Sequence, residues 1–272
     1  MTASRISRRQ AVAALWAAFG AAGSRAAPAR VPSRMALVVG NANYEQLPLR
    51  NAIHDADAMG QMLAQCDFDV RVRQDLDWDG CVTALADFTQ RASACDVRLF
   101  YYAGHGMQID GRSYLNPIGA MPRNEHELRA AAIELEPLIT QLSHLNEGVS
   151  IVIVDACRSN PYIGAVRHRR GLPARAGVAA IAAPRGVVVA FATGPEGNAQ
   201  DGSPTQDHGT FTRFLLQEMK APGMTIEQAL KRTSADVDVA SAHQQQPWLS
   251  TNLVGDFCFR PGNDGRCGDI PR

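Results

Sequence analysis

Val97-Arg98-Leu99-Phe100-Tyr101-Tyr102-Ala103-Gly104-His105-Gly106 and Val149-Ser150-Ile151-Val152-Ile153-Val154-Asp155-Ala156-Cys157-Arg158-Ser159 decide how this chain folds. Each opens as a short apolar run of strand length. The second is nearly continuous in β-branched residues, as expected of a strand covered on both faces. Each run ends in a turn that carries a reactive side chain, His105 in one and Cys157 in the other. A lone cysteine after a strand is usually a small buried hydrophobe. Two reactive residues, each just past the carboxyl end of a buried strand, are a different matter, because open α/β sheets bind their ligands along that edge. A thiol is a good nucleophile only as thiolate, and a nearby imidazole can take its proton. His105 and Cys157 are therefore the expected catalytic pair.

The rest of the chain extends this pattern. Residues 34–40 (RMALVVG) read as a first buried strand. Ile53, Ala56, Met59, Met62 and Leu63 recur at the spacing of one helix face. Phe68, Val70 and Val72 alternate with charged residues, which predicts a half-exposed strand over 68–73. Helices are expected over 78–92, 133–145, 210–220 and 225–240. Further strands are expected over 186–193 and, as a short last one, over 256–260. Residues 160–184 and 194–209 read as polar loops. Strands alternating with helices predict an α/β fold, a three-layer αβα sandwich on a six-stranded, mostly parallel sheet. Gly40-Asn41-Ala42-Asn43 lacks the second glycine of a dinucleotide fingerprint, and no Walker loop follows the first strand.

Bulk properties narrow the functional classes. The 272 residues are 46% hydrophobic and 20% charged, and the formal net charge is +0. That balance argues against nucleic acid or an anionic membrane as the main partner. Residues 1–30 read as a signal peptide: Ser7-Arg8-Arg9 precede a weakly apolar, Ala-rich stretch that is too short to span a bilayer. The arginine pair resembles a twin-arginine export signal. The expected location is periplasmic or secreted, with no stable membrane insertion once the signal is removed. Residues 31–260 form the expected catalytic domain and 261–272 a tail. Of six cysteines, Cys258 and Cys267 flank a turn region and are placed to close a small loop in an oxidising compartment. No Cys-x-x-Cys or His-x-x-x-His spacing supports zinc.

These segments resemble the caspase-like clan of cysteine peptidases, in particular the metacaspases, paracaspases and their bacterial relatives. Tyr101-Tyr102-Ala103-Gly104-His105-Gly106 is similar to the family's histidine block and Asp155-Ala156-Cys157-Arg158-Ser159 to its cysteine block. The offset of 52 between His105 and Cys157 suits caspase-type spacing. Ala36–Gly40 with Asn43-Tyr44, residues 49–56, Phe191-Ala192-Thr193, Gly209-Thr210-Phe211-Thr212 and Pro247-Trp248 fit as supporting pieces. The resemblance implies a caspase-like fold and an endopeptidase. Cys157 would attack the scissile carbonyl, His105 would move the proton, and the backbone N–H groups of Gly106 and Cys157 would hold the oxyanion. No third member of the catalytic set is evident.

Specificity follows from charge. Asp155 lies two residues before Cys157, on the same side of its strand. Asp55, near the start of the first helix, lies at the family position of a second pocket acid. Two carboxylates facing one cleft suit a cation, and arginine can bind carboxylate in a bidentate manner. The expected substrates are proteins or peptides cut after Arg, with Lys second. The resemblance implies a processing segment in the Arg-rich loop after Cys157, which makes Arg167, Arg169, Arg170 and Arg175 candidate self-cleavage sites, the alternative being a solvated basic loop that is never cut. No cofactor is expected. Calcium stays open, because Asp67, Asp69, Asp75, Asp77 and Asp79 cluster around the second strand and hard oxygen ligands suit Ca²⁺, although their spacing is not that of an EF-hand. The competing reading is a caspase-like scaffold without catalysis, which predicts loss of His105 or Cys157.

Overall fold

A computed structural model describes residues 33–119, 122, 125–145, 147–157, 181–195, 197–202 and 205–268. Its frame is a six-stranded sheet. In chain order the strands are β1 (Arg34–Gly40), β2 (Phe68–Gln74), β3 (Val97–Ala103), β7 (Val149–Asp155), β8 (Val187–Phe191) and β9 (Trp248–Thr251). In space they run β2-β1-β3-β7-β8-β9. All pairs are parallel except β8 with β9.

The residue pattern explains why helices cover both faces. In β1, β3, β7 and β8 nearly every position is buried. Val38, Leu99, Tyr101, Ile151, Ile153 and Ala190 point to one face. There they pack against Met59 and Leu63 of α1 (Ala52–Ala64), Phe211 and Leu215 of α5 (Thr210–Glu218), and Ile226 and Leu230 of α6 (Ile226–Ala240). Leu37, Phe100, Val152 and Val189 point to the other face. They meet Phe88 of α2 (Trp78–Ala92) and Leu135, Leu138 and Leu142 of α4 (Leu135–Ser143). The period of two in a strand thus sorts odd and even residues into two cores, and the expected three-layer sandwich results. Asp155 continues the Ile151–Ile153 side, which puts its carboxyl on the face that carries α1 and α5.

Two expectations are corrected. Residues 133–145 are not one helix: Ile133–Glu134 is a short strand, β6, and α4 begins at Leu135. β6 completes a second, three-stranded sheet with the hairpin β4 (Gly106–Ile109) and β5 (Arg112–Leu115). That hairpin turns at Asp110-Gly111, both at positive φ (49° and 79°), the conformation of a two-residue primed turn. The last strand is β9, not 256–260. Phe257 and Phe259 sink into the core, and Cys258 makes only a single bridge to Thr225. The remaining helix, α3 (Glu125–Ala131), leads into β6.

Cys258 and Cys267 form the expected disulfide, closing a loop of 9 in sequence separation. The Arg34 guanidinium donates to the carbonyls of Cys66 and Phe259 and lies over the Phe68 and Phe257 rings, which ties the start of β1 to this C-terminal segment. No helix among the described residues is long and apolar enough to cross a membrane. The signal segment 1–30 and the proposed cleavage sites Arg167, Arg169, Arg170 and Arg175 lie outside the described residues.

Candidate active site

Strand register brings the histidine and the cysteine together. β3 and β7 are parallel neighbours in which Val97 faces Val149 and Ala103 faces Asp155. Partners therefore differ by 52 in residue number, the same offset that separates His105 from Cys157. Each reactive residue lies two positions beyond its strand, so both leave adjacent strands at one height, on strands about 4.8 Å apart. The Gly104 N–H donates to the Asp155 carbonyl (3.2 Å) and carries the pairing one step past the strand ends. His105 and Cys157 line one cleft with Asp55, Asp155, Ala199 and Asp201.

His105 is buried and held from three sides. Its Nε2 lies 2.7 Å from the Leu47 carbonyl. A carbonyl only accepts, so Nε2 carries the proton and Nδ1 keeps the lone pair. The imidazole packs on the Tyr44 ring at 4.4 Å between centroids. Its backbone N–H donates to the Tyr44 hydroxyl (3.0 Å), which itself donates to the Asn116 carbonyl (2.8 Å). The Tyr102 hydroxyl lies 2.9 Å from the carbonyls of both His105 and Asn116. Gly104 must be glycine, because a Cβ there would come within 2.6 Å of the Tyr102 hydroxyl and 2.8 Å of the Tyr44 hydroxyl. Burial pushes the His105 pKa down, against the Leu47 hydrogen bond that raises it.

Cys157 is half-buried, and its thiol lies 3.4 Å from the Ala199 carbonyl. Burial pushes the thiol pKa up, and the charges of Asp155 and Asp201 add to that. Both shifts favour the uncharged forms of the two groups, thiol and imidazole. Gly106 opens β4 against the cysteine. A Cβ on Gly106 would lie 3.0 Å from both the Cys157 carbonyl oxygen and the Ala156 Cβ. The backbones of Gly106 and Cys157, the expected oxyanion donors, thus lie close to one another.

The acids converge on the α1 and α5 side of the cleft. Asp55, in the first turn of α1, is 3% exposed, and Asp155, at the end of β7, is 9% exposed. Asp55 accepts from the Gly209 N–H through both oxygens (3.2 and 3.1 Å), and its Oδ1 is 3.0 Å from His208 Nδ1. Asp155 Oδ2 accepts from the Thr212 hydroxyl at 2.6 Å. That commits the only Thr212 proton, so the Tyr101 hydroxyl, 2.5 Å away, donates to Thr212. The start of α5 thus holds both carboxylates, and a helix N-terminus favours negative charge. Gly209 allows the approach, since a Cβ there would lie 2.9 Å from Asp55 Oδ2. Burial pushes both carboxyl pKa values up, and the Asp155 charge raises that of Asp55 further.

Several members of the site escape a reading of the sequence. Asp201 is a third carboxylate on the cleft. It accepts from the backbone N–H groups of Arg50 (2.6 Å) and Asn51 (3.2 Å), and so ties the residues that lead into α1 to a distant loop. The signal for it is weak, one Asp in a polar loop. Thr212 stands inside the Gly209-Thr210-Phe211-Thr212 resemblance and His208 directly before it, but nothing in the sequence gives them a partner. The Leu47 carbonyl is a backbone group and leaves no residue-type signal at all.

The acids expected near a calcium ion are spread over other tasks. Asp75 accepts from Ala42 N, Asn43 N and Asn43 Nδ2. Asp77 caps α2, and Asp69 lies 3.6 Å from Arg91. Among the described residues no group of three or more His, Cys, Asp or Glu is arranged to hold a metal.

A sheet of this order, with histidine and cysteine at the ends of its two central strands, defines a caspase-like peptidase fold. The family model for the caspase domain, Peptidase C14, matches residues 33–258, and the chain belongs to that family. Curated relatives are more distant. The human mucosa-associated lymphoid tissue lymphoma translocation protein 1 is 27% identical over 126 residues, 46% of this chain and 15% of that protein. Its mouse homolog is 26% identical over 126 residues, with the same coverage. The chain thus matches only a small part of the length of these relatives.

Proposed function

We propose that this peptidase-family chain is a cysteine endopeptidase that cleaves after arginine, with lysine second, through His105 and Cys157. The observation that carries the reading is the shared offset of 52, which sets the two side chains at one height on paired strands. In the first step His105 Nδ1 takes the thiol proton as Cys157 Sγ bonds to the scissile carbonyl carbon. The carbonyl π electrons move to oxygen, where the N–H groups of Gly106 and Cys157 receive the charge. Removing one such donor costs about 2.7–4 kcal/mol in the transition state. The C–N bond then breaks, and the imidazolium gives its proton to the leaving amine. Water next attacks the thioester with His105 as base, which releases the carboxylic acid and restores the thiol. Leu47 acts throughout by holding Nε2–H, which leaves Nδ1 as the ring nitrogen with a lone pair for the thiol proton.

Asp55 and Asp155 supply the pocket for the basic side chain, with Asp201 adding negative potential. Burial raises the carboxyl pKa values of Asp55 and Asp155 and so favours their protonated forms, and a bound guanidinium expels a proton from the pair. An acidic side chain would meet like charge. A panel of peptide substrates differing only in Arg, Lys, Asp or citrulline at the cleavage position tests this. Turnover falling from Arg to Lys, with none for Asp, is expected. Turnover after Asp but not Arg would overturn the pocket, and a Cys157→Ala protein as active as wild type would overturn the dyad.

We also retain two expectations as proposals. Self-cleavage at Arg167, Arg169, Arg170 or Arg175 predicts fragments from wild type that Cys157→Ala lacks, and equal fragments from both would end the idea. Export to an oxidising compartment is supported by the Cys258–Cys267 disulfide, a bond that is rare in reducing cytosol. Loss of the mature protein from the periplasm or medium when Arg8 and Arg9 are both replaced by Lys is expected. Unchanged export of that variant would contradict a twin-arginine route.

A further inference from the structure

Asp55 is not an open carboxylate. Its Oδ1 faces both His208 Nδ1 (3.0 Å) and the Gly209 N–H (3.2 Å), while among the described residues Oδ2 accepts only from Gly209 (3.1 Å). Each carboxylate oxygen has two acceptor sites. Oδ1 is therefore full, and a guanidinium that binds Asp55 through both oxygens must displace the imidazole. The Gly209 bonds fix the backbone beside His208, which keeps the ring at this station. The His208 side chain is 29% exposed against 4% for Asp55, so solvent protons reach it at the rim of a buried acid.

We propose that His208 is a positioning residue that sets the charge of the arginine pocket. As neutral imidazole it donates Nδ1–H to Asp55 and fixes that carboxyl, yet yields to a guanidinium. As imidazolium it is an internal cation that occupies Asp55 and competes with the substrate. The inference rests on the reading of Asp55 and Asp155 as the pocket for a basic side chain.

The surroundings keep the switch near the neutral form. Burial pushes the His208 pKa down, Asp207 on its own segment raises it, and His54 on α1 lowers it. Asp155 and Asp201 line the same cleft as Asp55. A charge-assisted bond to a carboxylate is roughly twice as strong as a neutral one, so protonation tightens the hold of His208 on Oδ1.

The test uses the full chain carrying Cys157→Ala, which binds without cutting. The probe is a short peptide with arginine at the cleavage position, with the citrulline peptide as neutral control. Dissociation constants are measured by calorimetry from pH 8 to pH 5.5. The acid pair titrates as well, so the decisive quantity is the difference made by a second substitution, His208→Gln, which keeps an amide donor and cannot charge. One linked proton changes affinity tenfold per pH unit. Without His208 the loss of affinity on acidification should therefore shrink by about fivefold or more. His208→Asn supplies a second, independent curve. Superimposable pH curves with and without His208, or an equal loss of affinity at every pH, overturn the latch while leaving the pocket standing. Equal binding of the arginine and citrulline peptides overturns the pocket, and the latch with it.

Discussion

Asp55→Asn removes one of two buried carboxyls that face each other across the pocket. A Cβ on Gly209 would lie 2.9 Å from Asp55 Oδ2 and 3.5 Å from Asp155 Oδ2, so these oxygens are no more than 6.4 Å apart. Two full charges at that distance repel by about 2.6 kcal/mol at an effective dielectric of 20. Proton retention already relieves part of this, which leaves an expected gain in stability of about 1–2 kcal/mol for the variant. The sign with pH follows from the direction of the shifts. Both carboxyl pKa values are raised in the folded state. The penalty is therefore absent below about pH 4, the unfolded carboxyl value, and grows as pH climbs toward the folded values. The asparagine Oδ1 can still accept the Gly209 N–H, so the substitution leaves that bond in place. Urea unfolding at pH 4.5 and pH 8, in a Cys157→Ala background that prevents self-cutting, reads the difference. A gain at pH 8 that vanishes at pH 4.5 is expected. The same substitution in the active protein should lower kcat/KM for an arginyl substrate by about 100-fold, the cost of truncating one member of a buried charge pair. A variant that is destabilised at both pH values, or stabilised equally at both, would refute the electrostatic account.

Other consequences are open to measurement. Thr212→Val removes the donor to Asp155 and leaves the buried Tyr101 hydroxyl without its acceptor, so unfolding should show a loss of about 1–3 kcal/mol. The same change should move the acid limb of kcat/KM to higher pH, and an unmoved limb would detach Thr212 from the pocket. Reducing the Cys258–Cys267 bond closes no new contact but frees a 9-residue loop, which chain entropy values at about 2.6 kcal/mol. Cys258→Ala/Cys267→Ala should lower the urea midpoint accordingly, and an unchanged midpoint would show that Arg34 and the phenylalanines suffice to anchor that segment. Peptidase activity should be the same in EDTA and in calcium, because Asp69, Asp75 and Asp77 are engaged elsewhere, and activation by calcium on the titration of those acids would contradict this.

The central strands were legible because each is a short apolar run buried on both faces, a pattern that survives without any knowledge of neighbours. The helices over 52–64 and 78–92 announced themselves by periodicity. The hairpin at 106–115 was harder. Its Asp110-Gly111 turn is a good signal, but Gly106, Gln108 and Arg112 interrupt any apolar alternation. β9 is a half-exposed edge strand whose four residues carry no alternation, whereas Phe257-Cys258-Phe259 mimics a strand and instead packs as core. At the site, residue type, spacing and the family resemblance pointed to His105, Cys157, Asp55 and Asp155, which line one cleft. They could not reveal Leu47, which contributes a carbonyl, nor Asp201 and His208, whose roles exist only because loops distant in sequence fold back on α1.

Labelling with a peptidyl-arginyl ketone that alkylates thiols, read by intact mass and fragment mapping, tests the central claim most directly. The account predicts one adduct on Cys157, strong slowing in His105→Ala, and no adduct from the citrulline analogue. Labelling spread over Cys66, Cys81 and Cys95, or labelling of Cys157 at the same rate without His105, would contradict it.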